Sequence, residues 1–232
     1  MPAGLQIING AGSYQIDGDY ANLMFIRKVA VSTVSFASGQ GTSNNPSQAS
    51  ITLNGGELFA FACASPSAFV GRSGNTVYVN VAAHPGAIVT FYVFARGSGT
   101  SNFGLEVYDA AGSLTFSSSW ELLNILGVTS GAGNFNYGSG RTYAVIPQSQ
   151  YIRLVRTTTY QGTQPNIYVV YNRSLYYQAV SINSGSISVA EAPVHVAAWV
   201  FLESSGGGVI GWDIDVNNGG TTRYVVVDVS GL

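Results

Sequence analysis

Two histidines, one cysteine and eleven carboxylates are the first groups of this 232-residue chain to weigh for acid–base, redox or metal chemistry. Catalysis needs one of these groups to be positioned against a partner. His84 precedes Pro85-Gly86 and is expected in a turn. His195 falls inside the apolar run Val194-His195-Val196-Ala197-Ala198 and is expected on a strand face. Neither has a second His or Cys at ligand spacing, which argues against a metal centre. Cys63 ends the run Leu58-Phe59-Ala60-Phe61-Ala62-Cys63, where a free thiol acts as a small hydrophobe. Gly97-Ser98-Gly99 lacks the strand-to-helix setting of a nucleophile elbow.

Asp213, Asp215 and Asn217 alternate before Asn218-Gly219 and invite a calcium test, because alternate oxygen ligands converge on a hard cation. The test fails in part: the glycine comes one position late, and Tyr224 stands where a bidentate Glu is needed. Trp212, Ile214 and Val216 fill the intervening positions, so a strand with a polar face entering an Asn-Gly turn accounts for the pattern. No carboxylate pair is marked for glycoside hydrolysis. The expectation is a non-enzyme with neither cofactor nor catalytic residues. The sharper candidates are aromatic: Tyr160, Tyr168, Tyr171, Tyr176, Tyr177 and Trp199 cluster in the second half, where such rings stack on sugars or anchor interfaces.

The elements that must carry these residues are strands. Apolar and polar residues alternate with period two between Gly, Asn and Ser clusters. Strands are expected at Thr76 to Val81, Ile88 to Phe94, Tyr151 to Arg156 (with both arginines on one face), Asn166 to Tyr171, Val194 to Leu202, Val209 to Val216 and Arg223 to Val229. The stretches 38 to 46 and 97 to 102 are expected loops.

A short motif recurs at an offset of one hundred residues. Laying Gly4 to Ile26 on Gly104 to Leu126 gives six identities in 23 positions: Gly4, Leu5, Ala11, Gly12, Ser13 and Leu23. Each copy reads as a strand, an Asx turn ending in Gly, and a second strand. Ser118-Ser119-Trp120-Glu121 resembles a helix cap, with Leu122, Leu123, Ile125 and Leu126 as a stripe behind it. The matching Tyr20 to Ile26 has no cap and has strand composition, so both copies are expected to be strands. The fold expected is all-β: two β-sandwich-like modules with a duplicated N-terminal hairpin, residues 1–99 and a larger 100–232.

Charged residues make up only 9% of the chain, the net charge is −2, and glycine and tyrosine number 29 and 14. Such a surface suits burial against neighbours better than life as a dilute monomer. Nine basic residues without a stripe argue against nucleic acid. No apolar run reaches the roughly 20 residues of a membrane helix, and Met1 to Gln6 lacks the marks of a signal peptide.

Phe103-Gly104-Leu105-Glu106-Val107-Tyr108-Asp109-Ala110-Ala111-Gly112-Ser113-Leu114-Thr115-Phe116-Ser117-Ser118 resembles a recurring phrase of tailed-bacteriophage and prophage tail proteins, Gly-Leu-x-Val-Tyr/Phe-Asn/Asp-x-x-Gly. Met1 to Ile7 is similar to the way minor tail, tail-tip and tail-fibre proteins begin. The first copy departs from the phrase at Gly10 and Asp17-Gly18. The resemblance implies a structural component of the virion tail, assembled in the host cytoplasm. Its implied partners are copies of itself, a trimer being one form, other tail proteins and the host surface. A β-sandwich carbohydrate-binding module that attaches to a host glycan is the second expectation.

Overall fold

The structure, a computed structural model, describes residues 6–8, 14–17, 22–35, 46–98, 104–163, 166–183, 185–203 and 214–232. Nineteen strands and no helix occur among them. The first half contributes β1 (Gln6–Ile8), β2 (Tyr14–Asp17), β3 (Leu23–Ser32), β4 (Val34–Ser35), β5 (Ser47–Thr52), β6 (Leu58–Ala62), β7 (Ser67–Ser73), β8 (Thr76–Val81) and β9 (Ile88–Arg96). The second contributes β10 (Glu106–Tyr108), β11 (Leu114–Ser117), β12 (Asn124–Ser130), β13 (Gly133–Phe135), β14 (Tyr143–Ser149), β15 (Ile152–Thr163), β16 (Asn166–Asn183), β17 (Ser186–Glu203), β18 (Ile214–Asn217) and β19 (Arg223–Asp228).

The tempting helix at 118 to 126 is absent. The Trp120 amide donates to the Ser117 carbonyl in a turn, Leu122 bridges to Met24, and β12 begins two residues later. The expected Asx turn is present in the second copy. Asp109 Oδ1 accepts from the Ala111 and Ser113 amides at 2.9 and 2.7 Å, and Gly112 follows at φ +80°, a conformation that a Cβ disfavours. The corresponding turn of the first copy, the expected loop at 38 to 45 and the start of the expected strand at Val209 lie outside the described residues.

The duplicated hairpins share one register. Gln6, Ile7 and Ile8 lie opposite Asp17, Ile16 and Tyr14; Glu106, Val107 and Tyr108 lie opposite Ser117, Phe116 and Leu114, each pair shifted by one hundred and each ladder broken at the same step. The likeness continues past the motif. β3 and β12 carry a bulge at the same repeat position, between Phe25 and Arg27 and between Ile125 and Gly127. The six-stranded sheet runs β12-β19-β14-β6-β9-β3, an order that maps onto itself when the halves are exchanged. In the other sheet β7-β8-β5 answers β16-β17-β13, and β7 meets β16 at the join.

These correspondences define a local two-fold axis inside one chain. Phe61 pairs with Val145 where β6 meets β14. Met24 bridges Leu122, and the Leu123 amide donates to the Leu23 carbonyl at 2.9 Å, so the same position of each repeat meets its counterpart. An isologous contact of this kind usually joins two subunits. Here it joins two halves, and the expected boundary near residue 99 falls between β9 and β10 while both large sheets cross it.

Between the sheets lies a core drawn from both halves, including Phe59, Phe61, Val79, Phe91, Val145, Val189, Tyr224 and Val226. Phe61 and Tyr224 pack edge to face across the seam with centroids 6.5 Å apart. The opposite face of the six-stranded sheet encloses a second cluster around Tyr92, Phe94, Ile146, Val225 and Val227, against which Leu23, Phe25 and Leu123 pack. Alternating strands explain both clusters, since neighbours such as Phe91 and Tyr92 point to opposite faces.

One expectation is corrected. Arg153 and Arg156 do not share a face: β15 pairs with β16 without interruption from Ile152 opposite Tyr177 to Thr163 opposite Asn166. Positions three apart on an unbroken strand fall on opposite sides.

Candidate functional site: a three-stranded arm

Among the described residues, the second half extends the shared plan beyond the sandwich. β7 and β8 have seven and six residues, whereas their counterparts β16 and β17 have 18 each, and β15 and β18 have no equivalent in the first half. Near the sandwich β16 touches β7 at Val180, and β17 touches β13 at Ile187 to Val189. Beyond the stretch where β18 lies against Arg153 to Arg156, the ladders of β15, β16 and β17 run on and pair only with one another among the described residues. At a rise of about 3.3 Å per residue, the seven rows from Thr157 to Thr163 extend roughly 20 Å.

All six candidate aromatics fall on this meander. Register puts Thr158, Tyr171 and Trp199 in one row, and Tyr160, Val169 and Phe201 in the next row of that face. Gln161, Tyr168 and Leu202 form a row of alternate parity. The structure describes the backbone at Tyr160, Tyr168, Tyr171 and Trp199; their side chains lie outside the described residues, as does that of His195, which stands opposite Leu175.

At the foot of the arm the side chains are described. Tyr177 is buried, 8% exposed, among Ala68, Ala179, Ala192 and Val194, and burial pushes its phenol up from the ordinary value. Tyr176 is half-buried beneath Arg153, whose guanidinium lies 5.9 Å from the ring centroid. The same guanidinium donates to Glu191 Oε1 at 2.8 Å. Glu191 in turn borders a groove of about 350 Å³ formed with Pro46, Pro66, Ala192, Pro193 and the exposed His84. The groove therefore combines three apolar pyrrolidine rings, one imidazole and one carboxylate. Sequence reasoning missed it, because its residues come from four separate stretches and no spacing links them.

Compared with known proteins, the chain matches no family model, no curated protein and no solved structure.

The remaining sequence candidates are placed as follows. Cys63 is 4% exposed at the end of β6, burial pushes its thiol up, and its carbonyl accepts from the Ile182 amide across the seam. His84 occupies the expected turn ahead of Gly86, which has φ +102°. Asp215 and Asn217 lie in β18, opposite Val155 and Arg153; Asp213 is outside the described residues. Asn218 closes the following turn through its own amide, accepting from Ile152 and Gly220 and donating to Gln150. Its oxygen is thus engaged by backbone donors, as an Asx turn requires.

Proposed function

We propose that this chain is a non-enzymatic structural component of a bacteriophage tail, at the tip, baseplate or fibre, that assembles with copies of itself and with neighbouring tail proteins. The observation that carries the assembly reading is the arm. The first half completes its share of the sandwich without such an extension, so the extension serves something other than folding of the sandwich. A chain with 9% charged residues, whose strand meander carries no charge over Thr157 to Thr163 of β15 or His195 to Leu202 of β17, is suited to contact with protein. The tail assignment rests on the phrase spanning Phe103 to Ser118, whose residues Glu106 to Ser117 form the β10–β11 hairpin. Sedimentation of the purified chain, alone and mixed with the products of adjacent reading frames, tests the reading. Self-assembly together with co-sedimentation is expected; a monomer that binds none of them sinks it.

A second reading has its own support. The groove at His84, Glu191 and the three prolines offers apolar ring faces and a carboxylate acceptor, the combination that holds a hydroxylated ring such as a sugar. A glycan array comparing the natural chain with Tyr176→Ala and His84→Ala discriminates: the assembly reading expects silence, the attachment reading a signal that the substitutions abolish.

A further inference from the structure

Asparagine is disfavoured in strands, and a buried amide costs free energy unless it is hydrogen-bonded. Asn80 of β8 is nevertheless only 3% exposed. Its neighbours Val79 and Val81 face the core between the sheets, so Asn80 points to the outer face. That face is covered there. Ala68, opposite Asn80 on β7, is fully buried and packs with Tyr177, Ala179, Ala192 and Val194 from the root of the arm. Within the sheet β16 and β7 stand between β17 and β8, yet Asn80 Nδ2 donates to the Val194 carbonyl at 3.0 Å. The root of β17 therefore folds over the outer face of the first half.

The Val194 carbonyl is available because of a bulge. His195 pairs with Leu175 and Pro193 with Tyr176, which leaves Val194 without a partner on β16. A bulge frees one residue from the ladder and bends the strand. The other end of the amide is held as well: Asn80 Oδ1 accepts from Gln48 Nε2 at 2.8 Å across the β5–β8 ladder, and this bond fixes which way the amide points. On β17, the counterpart of β8, the outward positions near the turn are Ser188 and Ala190, and neither is buried. The plan shared by the halves thus has no need of a buried asparagine; it occurs where the arm is docked.

From these contacts we infer that Asn80 is a lock for the arm: its donation to the bulged Val194 carbonyl sets the direction in which β15, β16 and β17 leave the sandwich. The same docking makes the groove, whose walls come from Pro46, Pro66 and His84 on the first half and from Glu191 to Pro193 on the root. The lock therefore also sets the width of the groove. This goes beyond the assembly reading, since it concerns arm and sandwich within one chain whatever the arm meets.

The test is a distance measured by double electron–electron resonance between spin labels at Thr52→Cys, exposed on β5, and Thr157→Cys, exposed on β15 beyond the bulge. Cys63, 4% exposed, stays unlabelled. Labelled full-length chain is diluted into unlabelled chain, so that only distances within one molecule are read. With Asn80 in place one narrow distribution is expected, and Asn80→Ala should broaden it at least twofold. Asn80→Asp keeps the shape and the Gln48 bond but has no donor while ionised. It should broaden the distribution at pH 8 and restore it at pH 4, where burial keeps the carboxyl neutral and able to donate. Amide hydrogen exchange in β9 and β19 should stay slow in every variant. A narrow distribution in Asn80→Ala, or a width in Asn80→Asp that is the same at pH 8 and pH 4, overturns the lock. Broadening accompanied by fast exchange in β9 and β19 overturns it too, because Asn80 would then hold the sandwich together rather than the arm.

Discussion

At the scale of single residues, Arg27 and Glu57 form a two-pronged ion pair. The guanidinium grips both carboxylate oxygens, with the Nη2 to Oε2 contact at 2.8 Å, and also donates to the Thr52 carbonyl. Glu57 accepts the Asn54 amide as well, so one carboxylate ties the turn after β5 to the edge strand β3. Arg27 is the main cause that holds this carboxyl down to about 2 from its ordinary 4.5. The charged form is favoured in the fold, so its contribution is complete above about pH 4.5 and is lost as pH falls toward 2. Because Arg27 is partly exposed, we expect about 1–2 kcal/mol rather than the full value of the shift. Urea midpoints at pH 6 and pH 2.5 should differ by less in Glu57→Gln than in the natural chain.

Tyr224 makes the matching argument inside the core. Its ring is fully buried and its hydroxyl donates to the Gln178 carbonyl at 3.0 Å, linking β19 to β16. Burial pushes the phenol far up, so it stays a donor throughout the accessible pH range. Tyr224→Phe should cost about 1 kcal/mol and Tyr224→Ala about 3–5 kcal/mol by denaturant unfolding. A Phe variant as unstable as the Ala variant would show that the hydroxyl, not the ring, carries the site.

At the scale of elements, the hairpins explain what could be read in advance and what could not. The turn at Asp109 was legible because its chemistry is local: an Asx oxygen, two amides and a glycine able to take positive φ within five residues. Asp109→Ala should remove both side-chain bonds, and the Ala111 and Ser113 amides should then exchange with solvent faster while β19 remains protected. Protection unchanged at those amides would contradict the turn geometry. Gly97 was illegible for the opposite reason. A Cβ built there would come within 2.1 Å of the Trp120 ring, a contact made by residues 23 positions apart that no pattern announces. Gly97→Ala should cost about 1–3 kcal/mol through forced displacement of that ring, measurable as a lower thermal midpoint.

The arm was legible only in pieces. Asn166 to Tyr171 was expected as a six-residue strand, but β16 continues to Asn183 because Arg173, Ser174, Gln178 and Ser181 keep pairing with β17 despite their polarity. Alternation reports burial, not length, so polar strand segments read as boundaries. Beyond residue 26 the duplication was equally hidden. Tyr92 and Val225, or Phe59 and Val145, hold comparable core positions through apolarity and share no identity that an ungapped comparison detects.

At the scale of the whole molecule, the two halves share their core. Phe61, Phe91, Tyr143, Val145, Val180 and Tyr224 belong to one cluster, and Ser67 Oγ donates to the Val180 carbonyl across the join. Calorimetry should therefore show one unfolding transition, and Phe61→Ala should shift it as a unit by about 3–5 kcal/mol. Two resolved transitions would contradict a shared core.

The internal two-fold axis bears on how the protein behaves when diluted. Two separate chains joined by such a contact fall apart below their dissociation constant, because partnership is then governed by mass action. With both partners on one polypeptide the second half is always present at a fixed effective concentration, so the seam persists at any dilution. The scaffold formed by the two halves is thus independent of the protein's own concentration.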